Sequence, residues 1–466
     1  CGILISDVMM DRSEKKGATS KVLKAMSLFS GTQMVQIACG MVRNKFVSML
    51  AGQAGVGLLA IYSIVVEMMG ALITNGMRTS AVKEFASRHN HLRAMALTDR
   101  ASLFMGVLLT LLMILLSPLL SLITFHTFSR WLPFVILSPV LLFTSYTVSS
   151  QAIFQGTGRL KMLAGGLMWS ASLGLALSLP LLFFFRLESI EWLVVSYALV
   201  GAGVFAVVRV RGGLNIVSDI PATASADFRQ LLSGSGTMFR LGGYLAASSL
   251  MVWGAGYLFM SWLNNYAGSD EVGIYQCGYT MTVKYLGLVF TAIAMEFYPR
   301  LSSVGESTLR SRVYVRHELS LVLKISFPVA ALFACCSPLV IRLLYSSDFL
   351  SALPYLLAAV PATMLRAVGW CLGIVILTRG NGRIYMITEG VSAVVMLIGS
   401  IVGYIYAGVL GLGLAYMLQY LIYTPVAWYI CRHYYNISPS RRQLFMVTGA
   451  FIILSALSVV LMKLYC

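Results

Sequence analysis

Six basic residues stand within, or near the ends of, long apolar stretches: Arg43, Lys45, Arg78, Lys284, Lys324 and Arg366. The acids in such places are fewer: Glu67, Glu296 and Glu389. A Lys or Arg at the centre of a membrane-crossing helix costs about 2.5–3.5 kcal/mol on insertion scales, so a retained one calls for a reason. Pairing with acids cannot neutralise them all. The surplus either reaches an aqueous cavity or awaits an anion.

Spacing adds a second kind of group. Gln33, Gln36, Gly40 and Arg43 follow helical steps and share one face. Glu67, Ala71, Thr74 and Arg78 form another such row, with Asn75 beside it. Thr144, Thr147, Gln151 and Gln155 form a third, and Gln276, Thr280, Lys284, Gly287 and Thr291 a fourth. A polar stripe on an apolar helix turns inward or toward water, not toward lipid. Such stripes also serve as helix–helix contacts. Arg43 and Lys45 lie near a helix end from which snorkelling to headgroups is open to them, and Lys324 is read as snorkelling. Glu84 and Glu296 are read as partners for neighbouring Arg. Glu67 is either a proton or cation site or a partner for one of the bases. Arg78 is about 16 Å from it along a helix, too far to pair.

These stripes need helices that cross a bilayer. Hydrophobic residues are 58% of the 466, and charged residues 11%, against about a quarter in soluble domains. No soluble core buries that much apolar surface. A crossing takes roughly 20 apolar residues. The expected spans are 22–48, 56–82, 101–124, 132–155, 162–185, 190–208, 241–262, 273–299, 318–343, 354–378, 384–407, 411–431 and 444–464. They group as an N-lobe (1–211), a polar linker (212–237), a C-lobe (238–433) and an extra crossing helix (434–466). The fold expected is an all-α integral membrane protein of two six-helix lobes, related by a pseudo-two-fold axis along the membrane normal.

The net charge is +17. Lys and Arg crowd alternate gaps, while the others hold little beyond Arg130, Arg186, Arg342 and Lys463. The positive-inside rule then places the N-terminus in the cytoplasm, with the first crossing helix as insertion signal. This distribution accounts for the charge without nucleic acid.

The chain is written twice. Gly55-Val56-Gly57-Leu58 opens one helix, and Glu271-Val272-Gly273-Ile274 opens its counterpart. Those helices end in Glu84-Phe85-Ala86-Ser87-Arg88 and Glu296-Phe297-Tyr298-Pro299-Arg300. Gly156-Thr157-Gly158-Arg159 and Gly380-Asn381-Gly382-Arg383 recur in matching gaps, where glycine suits tight reversals. Duplicated halves around a shared site are a common transporter design.

Catalysis finds little support. The five histidines lie in loops or at helix ends, with no H-E-x-x-H or Cys/His metal spacing. No G-x-S-x-G or P-loop sequence occurs, which speaks against ATP-driven transport. Cys39, Cys277, Cys335, Cys336 and Cys371 sit where small apolar residues belong and read as packing. No enzyme activity, cofactor or metal is expected.

Two runs resemble a known family. Residues 45–58, from Lys45-Phe46-Val47 to Gly57-Leu58, are similar to the first helix and turn of Wzx-type polysaccharide flippases. Asp270-Glu271-Val272-Gly273-Ile274-Tyr275-Gln276 is similar to the opening of their second half. The resemblance spans about residues 20–433 and implies membership of the multidrug/oligosaccharidyl-lipid/polysaccharide exporter superfamily. It implies a V-shaped cavity whose cations accept undecaprenyl-pyrophosphate-linked oligosaccharide, moved from the cytoplasmic to the periplasmic leaflet of a bacterial inner membrane by alternating access. Lys45 occupies the matching first-helix position. A polysaccharide polymerase and a chain-length regulator are implied partners, with H+ or Na+ as coupling ion and O-antigen or lipopolysaccharide as the pathway. The candidate substrate-binding set is Arg43, Lys45, Arg78, Lys284, Arg366, Gln33, Gln36, Gln151 and Gln276, with Glu67 for ion coupling. The rival readings are a cation-coupled multidrug exporter, for which acids would be favoured in the cavity, and a non-transporting envelope scaffold.

Overall fold

The structure, a computed structural model, describes residues 12–87, 91–156, 160–184, 236–290, 293, 297, 301 and 308–465. Within these, the side chains of 12–30, 74–87, 91–99 and a few near helix ends fall outside the description. All regular elements among the described residues are helical. In the N-terminal half these are α1 (Arg12–Leu50), α2 (Gly52–Ser87), α3 (His91–Phe125), α4 (Leu132–Leu137), α5 (Pro139–Gly156) and α6 (Leu160–Phe184). The C-terminal half begins with α7 (Gly236–Ala267) and α8 (Ser269–Tyr279), which continues as a π-helical turn, Thr280–Tyr285. Then come α9 (Thr308–Cys335), α10 (Ser337–Leu344), a 3-10 turn (Ser347–Ala352), α11 (Leu353–Ala359), α12 (Ala362–Thr378), α13 (Gly382–Tyr435) and α14 (Arg441–Tyr465). The expected span 190–208 and linker 212–237 lie outside the described residues, apart from the linker's last two.

Seven described helices are long and apolar enough to cross a membrane, or eight if the bent pair Ser347–Ala359 and Ala362–Thr378 is one span. Part of the difference from thirteen lies outside the described residues, and part has local causes. The run α13 would be about 80 Å long if straight, over twice the hydrocarbon thickness. It breaks at Ala407 and Gly408, where glycine takes φ +54°, and doubles back as two crossings. Gly403 and Gly411 press backbone to backbone across that reversal. The crossing expected at 273–299 is interrupted by the π turn.

Within the N-lobe, α1 packs on α6 and α2 and α3 on α5; within the C-lobe, α13 packs on α7, α11 and α12. The extra helix α14 lies against α9 and α11. Its first turn is held by Gln443, which accepts from the backbone N–H of Ser440 at 2.8 Å and donates to Ser320 Oγ at 2.8 Å.

The lobes meet along α2, which crosses α7 and α8. Gly57 and Gly273, equivalent in the repeat, face each other there. A Cβ on Gly57 would run into the Ser269 carbonyl, and one on Gly273 into the Gln53 carbonyl. Glycine at both places lets the two backbones touch. Polar contacts close the same end. Asn264 and Asn265 of α7 donate to the Thr124 and Ile123 carbonyls that end α3, at 2.8 and 2.9 Å. Tyr257 shares a 2.9 Å hydroxyl bond with Thr124. The lobes are therefore joined on the side whose loops are poor in Lys and Arg.

Candidate functional site

A cavity of about 340 Å³ opens between the lobes, in the range of small-molecule sites. From α1 it is lined by Gln33, Gln36, Gly40, Arg43 and Asn44; from α2 by Ser63 and Glu67; from α8 and its π turn by Gln276, Thr280 and Lys284. The α1 and α8 stripes predicted from sequence thus meet across one space, with Glu67 beside them. Among the described residues the lining has two cations, Arg43 and Lys284, and one carboxylate, Glu67, which lies within electrostatic reach of both. Lys284 is exposed to the cavity side rather than buried in the protein. The site carries net positive charge among amides and hydroxyls, a setting that binds an anionic group and hydrogen-bonds hydroxyls around it.

The π turn aims Lys284. In a regular α-helix each i to i+4 step drifts by about 40°, so Gln276, Thr280 and Lys284 would spiral off one face. The wider turn, closed by Leu286 N–H donating to the Met281 carbonyl at 3.2 Å, cancels that drift. It also releases carbonyls from the helical ladder. Arg366 of α12 collects them: its guanidinium donates to Thr282 O and Val283 O, and to the Tyr416 hydroxyl, each at 3.3 Å. It also sits 5.1 Å from the Phe290 ring centre, within cation–π range. Gly287 leaves room for this guanidinium, because a Cβ there would lie 3.2 Å from it and would strike the Val283 carbonyl. Arg366 therefore stands in the C-lobe interior, where it positions the turn that carries Lys284, and does not line the cavity.

Lys45 also stands outside the cavity. Its ammonium donates to the Arg342 carbonyl at 2.7 Å and the Tyr345 carbonyl at 2.5 Å. Those carbonyls end α10, where Tyr345 turns extended and leaves them without intrahelical donors. Next to it Asn44 donates to the hydroxyls of Tyr345 and Tyr285, at 3.3 and 3.4 Å. Gln53 reaches the Asp348 carbonyl at 2.8 Å. This end of α1 is thus tied to the C-lobe.

The remaining expected residues divide simply. Gln151 lies on α5 and is not part of the cavity wall, and Thr144 and Thr147 bond back to carbonyls of their own helix. The side chains of Arg78 and Glu84, and the whole of Thr291 and Glu296, lie outside the description. Lys324 is exposed on α9. Glu389 accepts from the Tyr423 hydroxyl at 2.9 Å inside the C-lobe. Sequence reasoning missed Asn44, Ser63, Tyr285 and Tyr345 as cavity residues, since none belongs to a polar stripe. It had no signal for the π turn.

The family model described as "Polysaccharide biosynthesis protein" matches residues 49–354. No curated protein matches the chain. Among solved structures, a lipid II flippase, MurJ, in an inward closed conformation aligns at TM-score 0.70 and 13% identity, over 94% of this chain and 97% of that one. An inward-facing multidrug resistance MATE family transporter of the MOP superfamily aligns at 0.68 and 15%, over 93% and 98%. A MOP superfamily transporter from Pyrococcus furiosus, described as having a binding pocket of reverse polarity, aligns at 0.60 and 16%, over 94% and 95%. At these identities the likeness is one of fold: two lobes of membrane helices around a central space.

Proposed function

We propose a flippase on one premise: this chain belongs to the polysaccharide biosynthesis protein family. Its substrate is an oligosaccharide on undecaprenyl pyrophosphate, carried from the cytoplasmic to the periplasmic leaflet of a bacterial inner membrane for surface polysaccharides such as O-antigen. The observation that carries this is the inter-lobe cavity, where Arg43 and Lys284 outnumber Glu67 among Gln33, Gln36 and Gln276. A pyrophosphate is too costly to draw through hydrocarbon bare, while its polyprenyl chain belongs there. The cations take the charge of the head, the amides take the sugar hydroxyls, and the tail stays in lipid.

The mechanism is alternating access. With the Lys- and Arg-rich side read as cytoplasmic, the joined ends at Lys45, Gln53, Gly57 and Asn264 form the outer gate. Glu67 lies within electrostatic reach of both cations and competes with the arriving phosphate for them, so its protonation or cation binding would couple to transport. Residues of this chain bind and orient; no bond is made or broken.

The test is transport into the far leaflet of proteoliposomes by Arg43→Ala and Lys284→Ala proteins that insert normally. Each should lose most of the transport of undecaprenyl-pyrophosphate glycan. Native rates in both would refute the reading. Export of a cationic drug at the native protein's expense of an ion gradient, with no glycan movement, would favour the multidrug alternative.

A further inference from the structure

The cavity has a side arm. Ser63, Glu67, Gln276 and Lys284 border both the main space and an alcove of about 50 Å³ between α2, α7, α8 and α13. The alcove's far wall is apolar: Trp253 and Met260 of α7 and Met396 of α13. Such a wall offers water few partners and suits an apolar group. The mouth carries a second clue. Gln276 donates through Nε2 to Thr280 Oγ1 at 3.2 Å, while its Oε1 is buried with no hydrogen-bond partner. A buried acceptor left so is unfavourable until a donor arrives.

The group that satisfies both features carries an N–H donor next to a methyl-sized end. We infer that the alcove is a subsite for the acetamido group of a 2-acetamido sugar: the N–H donates to Gln276 Oε1, the carbonyl turns to Lys284, and the methyl lies against Met260 and Met396. The acetyl's three heavy atoms fit the space, where each water-sized group takes about 10–15 Å³ on this measure. The inference rests on the flippase reading and adds the sugar nearest the pyrophosphate, since Lys284 borders both spaces. A plain hydroxyl in that position could still pair with Gln276 but would leave the apolar wall unfilled.

The experiment uses the full chain in proteoliposomes with undecaprenyl pyrophosphate bearing either 2-acetamido-2-deoxyglucose or glucose. The acetamido form should move about fourfold faster or more, as expected for burial of its methyl against the apolar wall. Met396→Phe, which fills the alcove, should erase the preference. Met396→Ala, which enlarges it, should let the bulkier N-propanoyl analogue pass as well as the acetamido form. Equal native rates for acetamido and hydroxyl forms would overturn the subsite and leave the flippase reading standing. Movement of neither form would overturn both. Should Met396→Phe fail to insert, Met396→Ala decides alone: continued rejection of the N-propanoyl analogue counts against the subsite.

Discussion

Lys45→Met separates two roles that one position was expected to combine. The resemblance of residues 45–58 implies a cation for the substrate. The structure shows its ammonium bonded to the carbonyls of Arg342 and Tyr345 at the end of α10. Methionine keeps the stem and removes only the charge and donors. A hydrogen bond to a charged group contributes about 1.5–3 kcal/mol. The bond to Arg342 is exposed, so it is discounted for solvent screening, and the pair together stabilises the joined lobes by about 2–3 kcal/mol. Losing it lowers the ratio of joined to separated lobes by roughly 30- to 150-fold. The assay follows the neighbouring contact, where Gln53 Nε2 stands 3.5 Å from Ser351 Oγ. Cysteines at 53 and 351, in a background lacking the native thiols, should be joined by a short bismaleimide with the lobes closed. Lys45→Met should cut that yield sharply while leaving affinity for undecaprenyl pyrophosphate close to native. An unchanged crosslink together with lost affinity would refute the latch and return Lys45 to the substrate.

Other outcomes follow from the same geometry. Gly57→Ala or Gly273→Ala inserts a methyl into a backbone contact, at a cost of about 1–3 kcal/mol by overpacking, and should weaken the same 53–351 crosslink. If both variants crosslink as the native chain does, the lobes do not meet there. Arg366→Gln leaves carbonyls of the π turn short of donors, so the thermal midpoint in detergent should fall and transport should drop with it. Full transport at an unchanged midpoint would show that Lys284 needs no such support. Lys284→Arg should retain more transport than Lys284→Ala, measured by glycan appearing in the far leaflet; equal rates would mean the charge there is idle.

The amino-acid sequence alone settles the solvent, the repeat and the polar stripes. Composition demands lipid, because apolar residues at 58% have nowhere else to go. Helical spacing places Gln33, Gln36 and Arg43 on one face, and Gln276 with Lys284 on another, since side-chain direction along a helix is local geometry. Which faces meet is not local. The cavity exists because two repeat-related glycines let α2 and α8 touch, so that α1 and the π turn are held on either side of a gap. Cations alike in their apolar surroundings then part ways: Lys284 faces the gap, Lys45 ends a helix of the other lobe, and Arg366 donates to the freed carbonyls of a widened turn. A charge in an apolar stretch announces that it must be satisfied. Whether a ligand, a carbonyl or a carboxylate satisfies it depends on what the fold brings within about 3 Å.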